Sequence, residues 1–184
     1  MNISYLLKPN MLPTIKHECS QFLKECNNLF LLKNLPKIND GFKRVKVRIK
    51  NKNEIVIEAF NKSFSNHKNI FQRSIFANGE SSFKESEDKS LEPFYIFPID
   101  GYKFIYNPAV TDAFNDYKKS IKNIMPIVTS NEVIVDVFST LIKENYISNN
   151  LTDGIKVGAE IIFYNIPYYY AIRKSIVDDY NILS

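Results

Sequence analysis

The chain has 184 residues, 45% hydrophobic and 24% charged, with a net charge of +4; this is the make-up of a folded protein with a core, not of a disordered chain. No run of about 18 apolar residues occurs, so no membrane-spanning helix is expected, and Met1 to Pro13 lacks the basic, apolar and small-residue parts of a secretory signal. Two cysteines, Cys19 and Cys26, are too few for a disulfide framework and point to a reducing compartment.

The first element is an amphipathic helix. Leu12, Ile15, Cys19, Phe22, Cys26 and Leu29 repeat in steps of three and four and line one face, with Lys16, Glu18, Lys24 and Glu25 on the other. Pro36 and Asp40-Gly41 end this region. His17, Cys19 and Cys26 supply three metal-ligand types, but His17 points off the cysteine face and there is no CxxC pair; buried thiols are the expectation.

A basic β-hairpin follows. Val45, Val47 and Ile49 alternate with Lys46, Arg48 and Lys50, Asn51-Lys52-Asn53 makes the turn, and Glu54 to Phe60 returns. Lys43, Arg44, Lys46, Arg48, Lys50 and Lys52 lie within ten positions, and closely spaced cations on a ribbon suit a nucleic-acid backbone or an acidic partner. Lysines on a strand face also discourage edge-to-edge aggregation. Residues 61–78 fit a short helix or a strand. The polar stretch 79–92 reads as a loop or linker.

In the second half, Phe94-Tyr95-Ile96-Phe97 and Tyr102 to Tyr106 flank an Asp100-Gly101 turn, predicting an aromatic hairpin. Asn107-Pro108 reads as a helix start, with Val110, Ala113, Phe114, Tyr117, Ile121 and Ile124 inward and Pro126 at the end. Thr129 to Glu132 is a capping-box pattern for a helix packing Val133, Val137, Phe138, Leu141 and Ile142. A third helical stretch starts near Thr152, with Ala159 to Tyr164 open to a strand assignment. Tyr168, Ile172, Ile176 and Tyr180 space a final helix.

No catalytic constellation stands out. The five glycines form neither GxGxxG nor a Walker motif, His17 and His67 are fifty residues apart, and GxSxG is absent. Glu87-Asp88-Lys89 and Asp100 with Lys103 are the residues a small metal-dependent nuclease would use. The carboxylates Asp112, Asp116, Asp178 and Asp179 fit exposed helix faces. The aromatic residues are more distinctive: Tyr95, Tyr102, Tyr106, Tyr164, Tyr168, Tyr169 and Tyr170 are candidates for a protein interface, since tyrosine joins a large contact area to a polar tip. Core packing and stacking on bases are the competing roles.

Asn, Ile, Lys, Phe and Tyr number 21, 24, 20, 14 and 11, together 90 of 184 residues, and all have A/T-rich codons; this points to an AT-rich genome such as a phage, another virus or a low-GC bacterium. Residues 1–90 hold 16 basic against 9 acidic side chains, or +7, and residues 91–184 hold 8 against 11, or −3. Opposed charges suit two different faces or a head-to-tail contact between copies. The expected fold is α+β: an N-terminal amphipathic helix, one or two antiparallel β-hairpins and a helical C-terminal half. Its expected organisation is 1–78 (helix plus basic hairpin), 79–92 (loop or linker) and 93–184 (aromatic hairpin plus helices), with a single domain as the alternative. The expected function is a non-enzymatic interaction or assembly protein of a phage or viral particle. Its partners would be other protein subunits, with no membrane and no cofactor or metal, in the host cytoplasm or the virion. A nucleic-acid-binding module using 43–52 is the second expectation and a metal-dependent nuclease the third.

Overall fold

The computed structural model describes residues 11–47, 54–64, 70–128 and 130–180. The predicted turn at 51–53, the cations Arg48, Lys50 and Lys52, and His67 and Thr129 lie outside them. The described residues build a seven-stranded sheet, all of its pairings antiparallel, in the order β2-β7-β4-β1-β3-β6-β5. The strands are β1 (Leu31–Pro36), β2 (Phe42–Lys46), β3 (Ile75–Gly79), β4 (Leu91–Pro98), β5 (Lys103–Ile105), β6 (Glu160–Tyr164) and β7 (Tyr168–Arg173). Seven α-helices accompany them among the described residues: α1 (Met11–Glu18), α2 (Ser20–Glu25), α3 (Ile55–Ser63), α4 (Ala113–Ile124), α5 (Asn131–Asn145), α6 (Leu151–Lys156) and α7 (Lys174–Tyr180).

This overturns the expected one-or-two-hairpin fold with a helical C-terminal half. Four of the seven strands come from residues 91–173. Neither predicted hairpin forms. β2 pairs with β7, more than a hundred residues away, and its supposed return strand is helix α3. The segment Ile55 to Phe60 is apolar at nearly every position, so its pattern does not choose between periods of 2 and 3.6. Helical spacing wins because it buries Val56, Ile57, Ala59, Phe60 and Ser63 together. The Asp100-Gly101 turn does form, with Gly101 at φ +87°. The strands on either side of it diverge: β4 pairs with β1 and β7, and β5 pairs only with β6.

Other boundaries also shift. The first helix breaks at Cys19 (φ −122°), and Asn27 and Asn28, both at positive φ, end α2 so that the chain can enter β1. The stripe itself is real: Ile15, Cys19, Phe22 and Cys26 are all buried. Helix α4 starts at Ala113 rather than at Asn107, because Asp112 caps it by accepting from the Asn115 N–H at 3.1 Å. Tyr168 to Arg173, expected as helix, is β7, and the final helix begins only at Lys174.

At β3 and β6 the sheet separates two cores. Along β3, Ile75 and Ala77 join one cluster and Phe76 the other; along β6, Ile161 and Phe163 alternate with Ile162 and Tyr164 in the same way. The first cluster gathers Ile15, Phe22, Ile155 and Ile176 from α1, α2, α6 and α7. The second gathers Phe60, Ile121, Phe138 and Ile142 from α3, α4 and α5. Strands buried on both sides read as continuous apolar runs, which leaves IIFY open between helix and strand and lets YYYAI fit a helical spacing.

Asp100 ties the two halves of the chain together. Helix α2 gets no side-chain cap from Cys19, and the Asp100 carboxylate takes that place by accepting from the Gln21 N–H at 2.8 Å and from the Ser20 hydroxyl. Gly101 N–H completes the link by donating to the Gln21 side chain at 3.0 Å. Asp100→Ala is therefore expected to lower stability by about 1–2 kcal/mol in urea denaturation, as loss of an N-cap does. An unchanged midpoint would remove Asp100 from this role.

Candidate interaction surface

Helix α5 carries more apolar residues than one face can bury. Val133, Ile134, Val135, Val137, Phe138, Leu141 and Ile142 span well over a third of its circumference at 100° per residue. Its rotation is set by α3. Ser63 donates to the Ser139 carbonyl at 2.9 Å, and these two small buried residues let the helices meet closely. Lys62 of α3 pairs with Asp136 at the rim of the contact. The buried set is therefore Ile134, Val135, Phe138, Ser139 and Ile142. Of the five residues expected inside, only Phe138 and Ile142 are. Val133, Val137 and Leu141 stand outward, 49%, 49% and 42% exposed.

This stripe is not isolated. Met125 and Ile127 in the turn between α4 and α5 are also exposed, Ile127 at 82%, as is Ile147 just beyond the end of α5. Six of the seven exposed large hydrophobic side chains among the described residues thus come from the 125–147 segment.

The predicted tyrosine interface lies elsewhere. Tyr95, Tyr102, Tyr106, Tyr164, Tyr169 and Tyr170 are buried and Tyr168 is half-buried, so their rings are spent on packing. Tyr102 meets Phe163 edge-on at 5.2 Å, and Tyr170 stacks on Phe42 at 5.6 Å. Their hydroxyls reach carboxylates at the core's margin: Tyr95 donates to Glu80, Tyr102 to Glu25, and Tyr168 and Tyr170 both to Glu18 at 2.9 Å. Burial, then the bond to the carboxylate, pushes the phenols of Tyr95, Tyr102 and Tyr170 above their ordinary range. For Tyr168 the bond to Glu18 is the main cause. Burial alone raises Tyr164 and Tyr169, and burial with the nearby Asp153 charge raises Tyr106.

The described part of the basic ribbon lies on β2, at the edge of the sheet. Arg44 and Lys46 are exposed there, and the Arg44 guanidinium sits 3.6 Å over the Tyr168 ring. Lys43 is partly buried, donating to the Pro36 carbonyl at 3.0 Å and lying 4.9 Å over Phe94. Burial lowers its pKa below the usual lysine value.

No known protein family, curated protein or solved structure matches this chain. A functional reading therefore rests on the chain's own chemistry. His17 is exposed, whereas Cys19 and Cys26 are completely buried with thiols raised to about 12 and about 11 by desolvation. Among the described residues, no group of three His, Cys, Asp or Glu side chains is placed to hold a metal ion. Asp100 is occupied in capping α2 and Asp112 in capping α4; Glu87 and Asp88 lie exposed in the 80–90 loop, where Asp88 accepts from the Ser90 N–H at 2.9 Å. A cleft of about 310 Å³ opens beside β1 and β3; several of its polar groups hold main chain in place, and the buried Asn34 Oδ1 on its lining has no hydrogen-bond partner. Lys33 donates to the Phe76 carbonyl at 2.8 Å, Asn34 to that of Lys84 at 2.9 Å, and Glu160 accepts from the Ala113 N–H at 2.8 Å. The described helices include none long and apolar enough to cross a membrane.

The sequence named Val133, Val137, Phe138, Leu141 and Ile142 as one packed set. It could not say that only Phe138 and Ile142 would be buried and the other three left uncovered.

Proposed function

We propose that this is a non-enzymatic interaction protein that docks other protein subunits on the α5 face, as a component or assembly factor of a phage or viral particle. Its place would be the host cytoplasm or the virion. The observation that carries the docking reading is the outward row of Val133, Val137 and Leu141 on α5. Covering the exposed half of one such side chain contributes roughly 1 kcal/mol, so the three together supply about 3 kcal/mol towards an association. The opposed charge of the two halves and the A/T-rich codons behind the composition support the particle reading.

The basic ribbon favours a nucleic-acid reading less, because Lys43 is held by its own chain and Arg44 lies over a tyrosine ring.

The test is a column of immobilised protein challenged with an extract of its natural source. Stoichiometric protein is expected to bind to the wild type and to be lost, by about tenfold or more in affinity, with Leu141→Glu. Thermal unfolding should stay the same, since Leu141 is already 42% exposed. Equal retention by wild type and variant overturns the reading.

A further inference from the structure

We infer that the open edge of β2 takes an extended acidic segment of another protein, which adds a strand to the sheet and sets carboxylates opposite Arg44 and Lys46. This docking surface is additional to α5, and each can exist without the other.

The backbone supplies the first reason. β2 ends the sheet and pairs on one side only, with β7. Arg173 donates its N–H to the Gly41 carbonyl at 2.7 Å, and Val47 donates its own to the Pro167 carbonyl at 2.9 Å. Both couples continue the β2–β7 register, and bonded positions in an antiparallel pair recur at every second residue. Gly41, Lys43, Val45 and Val47 therefore turn their main-chain polar groups to β7. Phe42, Arg44 and Lys46 turn theirs outward, and none of the described residues bonds to them. Such a row is a template for one more strand.

The second reason is charge. Arg44 and Lys46 are exposed and share a face of β2, and neither makes an ion pair among the described residues. The Tyr168 ring, 3.6 Å under the Arg44 guanidinium, orients that cation without neutralising it. A second copy pairing antiparallel through β2 about Arg44 would set Arg44 against Arg44, so the same cations that bar self-pairing admit an acidic strand. Val45 lies between them on the opposite face, half-buried against the first core cluster. The added strand should therefore alternate acidic and apolar residues. A nucleic-acid backbone would match the cations, but its phosphates have no donor for the outward carbonyls.

The experiment uses the purified full chain and a labelled peptide of about seven residues that alternates Val and Glu, followed by fluorescence anisotropy. Binding is expected, and it should weaken by about tenfold or more with Arg44→Gln/Lys46→Gln. N-methylation of the peptide's Glu residues keeps every charge but removes the donors that face β2, and should abolish binding. Lys46→Pro removes an outward N–H and no bond to β7, so it should lose more affinity than Lys46→Gln while thermal unfolding stays the same. Amide exchange at Phe42, Arg44 and Lys46, read by NMR, should be fast in the free chain and slow by about tenfold or more with peptide.

Equal binding of the N-methylated peptide, or binding without slower exchange at these amides, reduces the contact to charge alone and overturns the added strand. Slow exchange in the free chain means that the edge is already covered, by a second copy or by this chain itself, and also overturns it. So does an oligonucleotide that displaces the peptide and slows the same amides. No binding by the Val-Glu peptide at about 1 mM removes the acidic partner, whatever α5 docks.

Discussion

Phe22→Ala is expected to cost about 3–5 kcal/mol, the range for emptying a fully packed aromatic site. Phe22 has no exposed surface, and its ring meets Phe97, Tyr102 and Phe163 edge-on at 6.1, 6.3 and 6.0 Å. These partners belong to β4, the start of the β5 segment and β6, so one side chain of α2 ties β4 to the β6–β5 end of the sheet, across the intervening β1 and β3. Nothing small can refill the space, because the surrounding rings are fixed by their own contacts. Domains of this size are stable by about 5–15 kcal/mol, so the variant should sit near the edge of folding. Urea denaturation followed by circular dichroism gives the number. Phe114→Ala is the comparison: Phe114 is only partly buried and should lose markedly less. A loss below about 1 kcal/mol for Phe22→Ala would mean that α2 is not the clamp described.

A sharp alkaline unfolding is the second large effect. Cys19 and Cys26 ionise in the native protein only near about 12 and about 11, against an ordinary 9.0, because burial disfavours the thiolate. Tyr95, Tyr102, Tyr146, Tyr169 and Tyr170 are likewise held neutral well above the ordinary phenol value, with burial the first cause for each. All seven groups bind their protons more tightly folded than unfolded. Their stabilisation is fully present below pH 9 and is lost as pH rises from there, at about 1.4 kcal/mol per unit for each group that ionises only in the unfolded chain. Thiols act first, from about pH 9, and phenols join from about pH 10. The combined loss by about pH 11 is several kcal/mol, so unfolding should be cooperative near that pH. Phenolate absorbance and far-ultraviolet circular dichroism should then change together. If all 11 tyrosines titrate smoothly near pH 10 while the dichroism stays constant, the phenols are not locked in the core.

The two effects share a cause. The sheet draws its strands from the whole chain, so aromatic residues distant in sequence end up against one another. Glu18 accepts from tyrosines 150 and 152 residues away, and Thr152 donates to the Glu25 carbonyl at 2.6 Å. A pattern read along the chain carries no record of such pairs.

What the sequence determined by itself is local. The stripe of Ile15, Cys19, Phe22 and Cys26, the breaks at Asp40-Gly41 and Asp100-Gly101, the alternation of Val45 and Lys46, and the helical segment of α5 all follow from spacing, capping and turn chemistry. Tertiary structure decided which strand meets which, because antiparallel partners are chosen by burial across the sheet rather than by proximity in the chain. It turned Ile55 to Phe60 into a helix and took the tyrosines into the core, where a carboxylate at its margin satisfies each of four hydroxyls. The rotation of α5 was decided there too. Ser63 and Ser139 let α3 approach on one side, and Val133, Val137 and Leu141 were left facing out. A helix with two adjacent apolar faces contains no local instruction about which to bury; the neighbour that packs closest makes the choice.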